Sequence, residues 1–155
     1  MPRMKSFARF RRPLAWLFVA ATLATGTVAL AEPLPPQIGA AEALALSRDG
    51  KLTIVDVRAP AEWRETGIAP GARTVTIHDP RGVDGFVAEM LKAVDGDKAR
   101  PVALICHSGT RSVRAQKILT AAGFTQVTDI GAGMVGKRDQ PGWIAQGLPA
   151  VPCNC

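Results

Sequence analysis

No acidic residue precedes Glu32 in this 155-residue chain, whereas Arg3, Lys5, Arg9, Arg11 and Arg12 all lie before position 13. The formal charge of +6 is therefore local. Of the 19 Lys+Arg, 14 remain once residues 1–31 are set aside, against 13 Asp+Glu, so the rest of the chain is nearly neutral at +1. That balance argues against a basic face for nucleic acid, and no nucleic-acid partner is expected. Internal repeats and low-complexity tracts are also missing, which excludes solenoids and arrays. The length leaves room for one domain with short appendages. Histidine is scarce: His78 sits in a turn flanked by Asp79 and Pro80, and nothing pairs it with His107, so no metal site is expected.

The basic start is followed by 17 uncharged residues, Leu14 to Leu30, and by the small residues Ala29 and Ala31 at the spacing of a cleavage site. Residues 1–31 read as a secretory signal peptide cut after Ala31, which places the protein in the periplasm or outside the cell. Uncleaved, the same stretch approaches a short membrane span, the one route to a membrane that the sequence offers. The Ala, Thr and Gly in it favour cleavage. No Cys follows the stretch, so a lipid-modified N-terminus is not indicated. Residues 32–36 form a Pro-rich lead-in.

Three cysteines in an exported chain are an odd number, and an oxidising compartment pairs thiols and leaves one over. Cys153 and Cys155 share the C-terminal tail, 151–155. Cys106 lies deep in the chain and is the candidate free, reactive thiol.

Between 37 and 150, β-branched runs alternate with helix-period segments, the pattern of an α/β fold with a central parallel sheet flanked by helices. Strands are expected at Leu52 to Val57, near Thr74 to Ile77, at Val102 to Ile105 and at Val127 to Ile130. Helices are expected at Ala40 to Leu46, around Ala61 to Glu65, at Asp84 to Val94, and along the face marked by Ala115, Ile118, Leu119 and Ala122. Gly123 suits a helix C-terminal cap. From Ala150 onward a loose tail is expected.

The strand Val102 to Ile105, the most apolar of all, delivers the chain to Cys106-His107-Ser108-Gly109-Thr110-Arg111, with Ser112 in the helix beyond. A strand-loop-helix sequence puts the loop outside the carboxyl edge of the sheet, where open α/β folds bind ligands. Curled around the sulfur, such a loop converges its backbone N–H groups into an anion nest, and the helix N-terminus adds positive potential. Both favour thiolate over thiol. Gly109 lets the loop curl, and Arg111 adds a permanent charge beside a bound anion. The arrangement suits a nucleophilic sulfur that attacks an anionic donor and then holds a negatively charged persulfide. Alone, Cys106 reads equally as a buried inert thiol at a strand end.

This segment resembles the active-site loop of the rhodanese-domain sulfurtransferases. Asp56-Val57-Arg58, Glu62-Trp63 and Gly67-Ile68-Ala69-Pro70-Gly71-Ala72 resemble that family's N-terminal signatures in order and spacing. Gly123-Phe124, Gly131-Ala132-Gly133, Trp143 and Gly147-Leu148-Pro149 resemble its C-terminal signature. The resemblance implies the rhodanese fold and a ping-pong reaction without organic cofactor. In it Cys106 takes a sulfane sulfur from a donor such as thiosulfate and passes it to a thiophilic acceptor, either a small molecule or a protein. The loop from Cys106 to Arg111 has six residues, the length of a sulfurtransferase loop, and the seven-residue loop of the related phosphatases makes phosphatase or arsenate reductase chemistry the weaker reading. A module that only carries the persulfide to a protein partner is the alternative of another class.

Several residues have two readings. Asp56 and Arg58 at a strand end organise neighbouring backbone rather than clamp substrate, and Trp63 and Trp143 read as core anchors. His107 either tunes Cys106 and meets the acceptor, or points to solvent. Cys153 and Cys155 depart from the family pattern: a frayed tail, a resolving thiol pair for the Cys106 persulfide, or a soft-metal pair that lacks further ligands. The stretch Met134 to Gly142, longer than the family's usual spacing, is either a surface loop or a device shaping acceptor choice.

Overall fold

The computed structural model describes residues 36–155, so the expected signal peptide and most of the lead-in lie outside the described residues. The apolar run Val102–Ile105 forms β4 at the centre of a five-stranded, wholly parallel sheet. Its neighbours are β2 (Thr53–Asp56) and β5 (Val127–Ile130), flanked by the short edge strands β3 (Arg73–Thr74) and β1 (Gln37–Ile38), in the order β1-β5-β4-β2-β3. All four β4 residues are buried, which is why this strand reads as a continuous apolar run rather than an alternating one.

Alternation along each strand divides the core into two layers. Ala103, Ile105, Ile54 and Ile130 face α1 (Ala40–Arg48), joined by Trp143 and Met134. Val102, Leu104, Cys106 and Val55 face α3 (Gly82–Ala93) and α4 (Thr110–Ala121), against Phe86, Met90, Ala115 and Leu119. Cys106 thus continues the inward-facing register of β4 one step beyond the strand end. No helix among the described residues is long and apolar enough to cross a membrane.

The α/β class, the parallel sheet and the order of elements agree with the sequence reading. Three details differ. Strand β3 pairs with β2 over only Arg73 and Thr74, shorter than the run expected to Ile77. The stretch Met134 to Gly142 holds a small antiparallel hairpin, β6 (Gly136–Lys137) and β7 (Gln140–Pro141). The tail is not loose at Val151, whose N–H and C=O exchange 2.9 Å hydrogen bonds with Ile68. Two unpaired backbone groups of Ile68, the residue after Gly67, are satisfied this way.

A buried ion pair organises the ground beside the loop. Arg58 is fully buried, and its Nε lies 2.9 Å from both carboxylate oxygens of Asp56, with Nη2 at 2.7 Å. The rest of the guanidinium donates to Thr66 Oγ1, Glu62 O and Gly67 O, and Trp63 Nε1 donates to Asp56 at 3.0 Å. Charges taken out of water are tolerated where every donor and lone pair is matched, as here. Asp56, Arg58 and Trp63 therefore lock α2 (Pro60–Thr66) onto the end of β2. Trp143 is buried likewise, donating to Pro149 O at 2.9 Å.

Candidate active site

Cys106 leaves β4 1% exposed and forms no disulfide. Its sulfur accepts the Gly109 N–H at 3.0 Å and lies 3.2 Å from the Ser112 hydroxyl, which also reaches Gly109 O. The carbonyls of Cys106 and His107 accept the N–H groups of Met134 and Val135 at 2.8 and 2.9 Å. In a trans peptide the N–H opposes the C=O, so the amides of His107 and Ser108 point away from that segment. Among the described residues the N–H groups of His107, Ser108, Thr110 and Arg111 have no protein acceptor. Four unspent donors in one short loop, two of them in the first turn of α4, make the concentrated positive potential that a sulfur anion requires.

Two glycines make this geometry accessible. Gly109 sits at φ 92° just before α4, and a Cβ there would collide with Gly131 O. Gly133 sits at φ 65°, and its Cβ would stand 2.6 Å from Cys106 O and 2.7 Å from His107 O. The loop thus rests directly on the backbone of residues 131–133, a contact that only a bare Cα allows.

Arg111, expected to add a permanent charge beside a bound anion, has a bidentate partner: Nη1 and Nη2 each lie 2.6 Å from an oxygen of Glu62. Glu62 Oε2 also caps α2 by accepting the Ala59 N–H at 3.0 Å. The Arg111 hydrogen bonds, foremost, hold the Glu62 carboxyl well below its ordinary 4.5, at about 2, and the same pairing raises the Arg111 pKa. Glu62, visible in sequence only as a signature residue and as the third residue of a helix, is thus part of the site's electrostatics.

Of the other expected residues, His107 and Thr110 are exposed, Ser108 is half-buried and Ser112 is buried against the sulfur. Cys153 and Cys155 are bonded to each other, and no bond joins either to Cys106. Asp129 on β5 escaped notice in the sequence. It is 1% exposed, its Oδ1 has no partner, and burial pushes its carboxyl up against the opposing pull of Ser112, Gln37 and Lys137. Among the described residues no group of His, Cys, Asp and Glu is placed to hold a metal ion.

Comparison with known proteins gives the same frame. A curated sulfurtransferase of Allochromatium vinosum is 29% identical over 98 residues, 63% of this chain and 77% of that protein. The crystal structure of Rv0390 from M. tuberculosis superposes with a TM-score of 0.60 at 30% identity, covering 76% of this chain and 97% of the other. A thiosulfate sulfurtransferase from Pseudomonas aeruginosa shares the fold at 24% identity and a TM-score of 0.59, over 76% of this chain and 20% of that larger one. The family model for the Rhodanese-like domain matches residues 39–138, from the start of α1 through the Cys106 loop to the β6–β7 turn, and the chain belongs to that family.

Proposed function

We propose that the protein is a sulfurtransferase in which Cys106 takes the outer sulfur of an anionic donor such as thiosulfate and carries it as a persulfide to a thiophilic acceptor. The observation that carries this reading is the setting of the sulfur: a free, buried Cys106 Sγ that already accepts one loop N–H, with four more amides of the same short loop left without a protein acceptor. Such a cradle stabilises first the attacking thiolate and then the terminal persulfide sulfur, without a metal or organic group. The names of the relatives, a sulfurtransferase and a thiosulfate sulfurtransferase, support the same chemistry. The basic, then apolar, first 31 residues support export to the periplasm, with cleavage after Ala31.

A persulfide carrier for a protein acceptor is the second reading, favoured by the exposed Val113 and Val135 flanking the loop. Intact-mass spectrometry of the exported protein, before and after thiosulfate and then cyanide, separates the two and reads the cleavage site as well. A gain of one sulfur that cyanide removes rapidly, and that Cys106→Ser abolishes, is the expected result. A stable adduct that small acceptors discharge slowly assigns the carrier role. A reduced, folded protein that takes up no sulfur refutes both.

A further inference from the structure

Sulfur uptake by Cys106 brings an anion to an anion. The thiolate attacks the outer sulfur of the donor, a Cys106 S–S bond forms, and the donor's own bond to that sulfur breaks. For a thiosulfate-type donor, sulfite leaves with the bonding pair, and neither a proton nor an electron is needed from outside. Three negative charges meet in that step, and the loop's own permanent cation, Arg111, is already matched oxygen for nitrogen by Glu62.

The β6–β7 hairpin brings a second cation to the same place. A Cβ built on Gly109 would lie 3.0 Å from both Cε and Nζ of Lys137, so the end of this lysine lies over the bare Cα of Gly109. That same residue gives its N–H to the Cys106 sulfur at 3.0 Å. Lys137 forms no ion pair among the described residues, and the carboxylate that feels its charge is the buried Asp129 beneath. The chain leading into the hairpin is held to the loop through the Met134 and Val135 amides on Cys106 O and His107 O, which fixes the backbone from which the exposed Lys137 side chain reaches Gly109.

We propose that Lys137 is the donor-binding cation of this site, and that through it the protein favours doubly charged sulfur donors over singly charged ones. The inference rests on the sulfur-transfer reading and adds to it a residue and a substrate class. Attraction at a given distance scales with the donor's charge, so a dianion gains twice the free energy that a monoanion does, and the ratio of effects is a square.

The test is single-turnover sulfur uptake by Cys106, followed by intact mass, with thiosulfate as the dianionic donor and methanethiosulfonate as the monoanionic one. Lys137→Gln is expected to slow uptake from thiosulfate about tenfold and from methanethiosulfonate about threefold. Lys137→Arg is expected to stay within about twofold of wild type, and the wild-type advantage on thiosulfate to shrink with added salt. Arg138→Gln removes a charge from the same hairpin that is not among the atoms nearest to Gly109, and is expected to change neither rate. Equal slowing with both donors, no slowing, or equal effects of Arg138→Gln would overturn the assignment while leaving sulfur transfer standing. Failure of the wild type to gain sulfur from either donor overturns the sulfur-transfer reading, and this inference with it.

Discussion

Glu62 stands at the junction of two structural roles, capping α2 through the Ala59 N–H and neutralising Arg111 across 49 positions of sequence. Its carboxyl is held at about 2 against an ordinary 4.5, chiefly by the Arg111 hydrogen bonds. Because the folded value is the lower one, the stability this residue contributes is fully present above 4.5 and is lost as the pH falls through about 2. Both side chains are about a quarter exposed, so solvent screening cuts the linkage value, and Glu62→Gln is expected to cost about 1–2 kcal/mol at neutral pH. The glutamine keeps an oxygen for the Ala59 N–H, so the cost isolates the charge. Denaturant unfolding of both proteins across the acid range checks this: the gap should close between pH 4.5 and about 2. The absence of any gap at neutral pH would mean that the cap, which the glutamine keeps, and not the ion pair carries the stability.

At the scale of elements, the segment after β5 decides whether the Cys106 loop can exist. Gly133 meets two carbonyls of the loop at φ 65°, so Gly133→Ala combines a left-handed backbone with a collision against main chain that cannot swing away. A cost of about 2–3 kcal/mol is expected in thermal unfolding, from strain and the displaced loop together. Sulfur uptake by Cys106 should fall at least tenfold at temperatures where the variant is still folded, because moving Cys106 O and His107 O reshapes the loop that brings the Gly109 N–H to the sulfur. Unchanged uptake would show that the loop keeps its shape without this support. Much of the element order was legible: β4 as an apolar run, α3 and α4 from their periodicity, and the Cys106 loop from the strand and helix on either side. The two-residue strands β1, β6 and β7 were not, since so short a run has no period and exists only through its partner. Nor can contacts distant in sequence be read from spacing. Glu62 on Arg111 and Lys137 over Gly109 depend on how the elements pack, which is why the sequence showed Arg111 as a charge of the site without its Glu62 partner and Lys137 only as part of a polar loop.

Across the whole molecule, the C-terminal segment closes the structure onto the element that supports the loop. Val151 pairs with Ile68, the neighbouring Gly67 C=O accepts Arg58 Nη2 at 2.7 Å, and Arg58 is bound to Asp56 at the end of β2, beside the β4 end that carries Cys106. Beyond it, Arg64 donates to Cys155 O at 3.2 Å, and the Cys153–Cys155 disulfide closes a loop of three residues. A loop that short removes little chain entropy, and the segment it staples is peripheral, so the disulfide and the Val151 pairing should contribute unequally. Replacing Cys153 and Cys155 together by Ser is expected to lower the melting temperature by less than about 2 °C, since opening the tail exposes almost no core. Truncation after Ala150 removes two backbone hydrogen bonds from Ile68 and is expected to cost about 1–2 kcal/mol, roughly 4–8 °C in a domain of this size. Thermal unfolding of the two variants orders the effects. Were the double Ser variant to lose as much stability as the truncation, which removes the disulfide and the Val151 pairing together, the disulfide would be what fastens the tail. If that variant also discharged the Cys106 persulfide more slowly than wild type under reducing conditions, the pair would act as the resolving thiols. A truncation after Val151 that keeps wild-type discharge leaves it a structural staple.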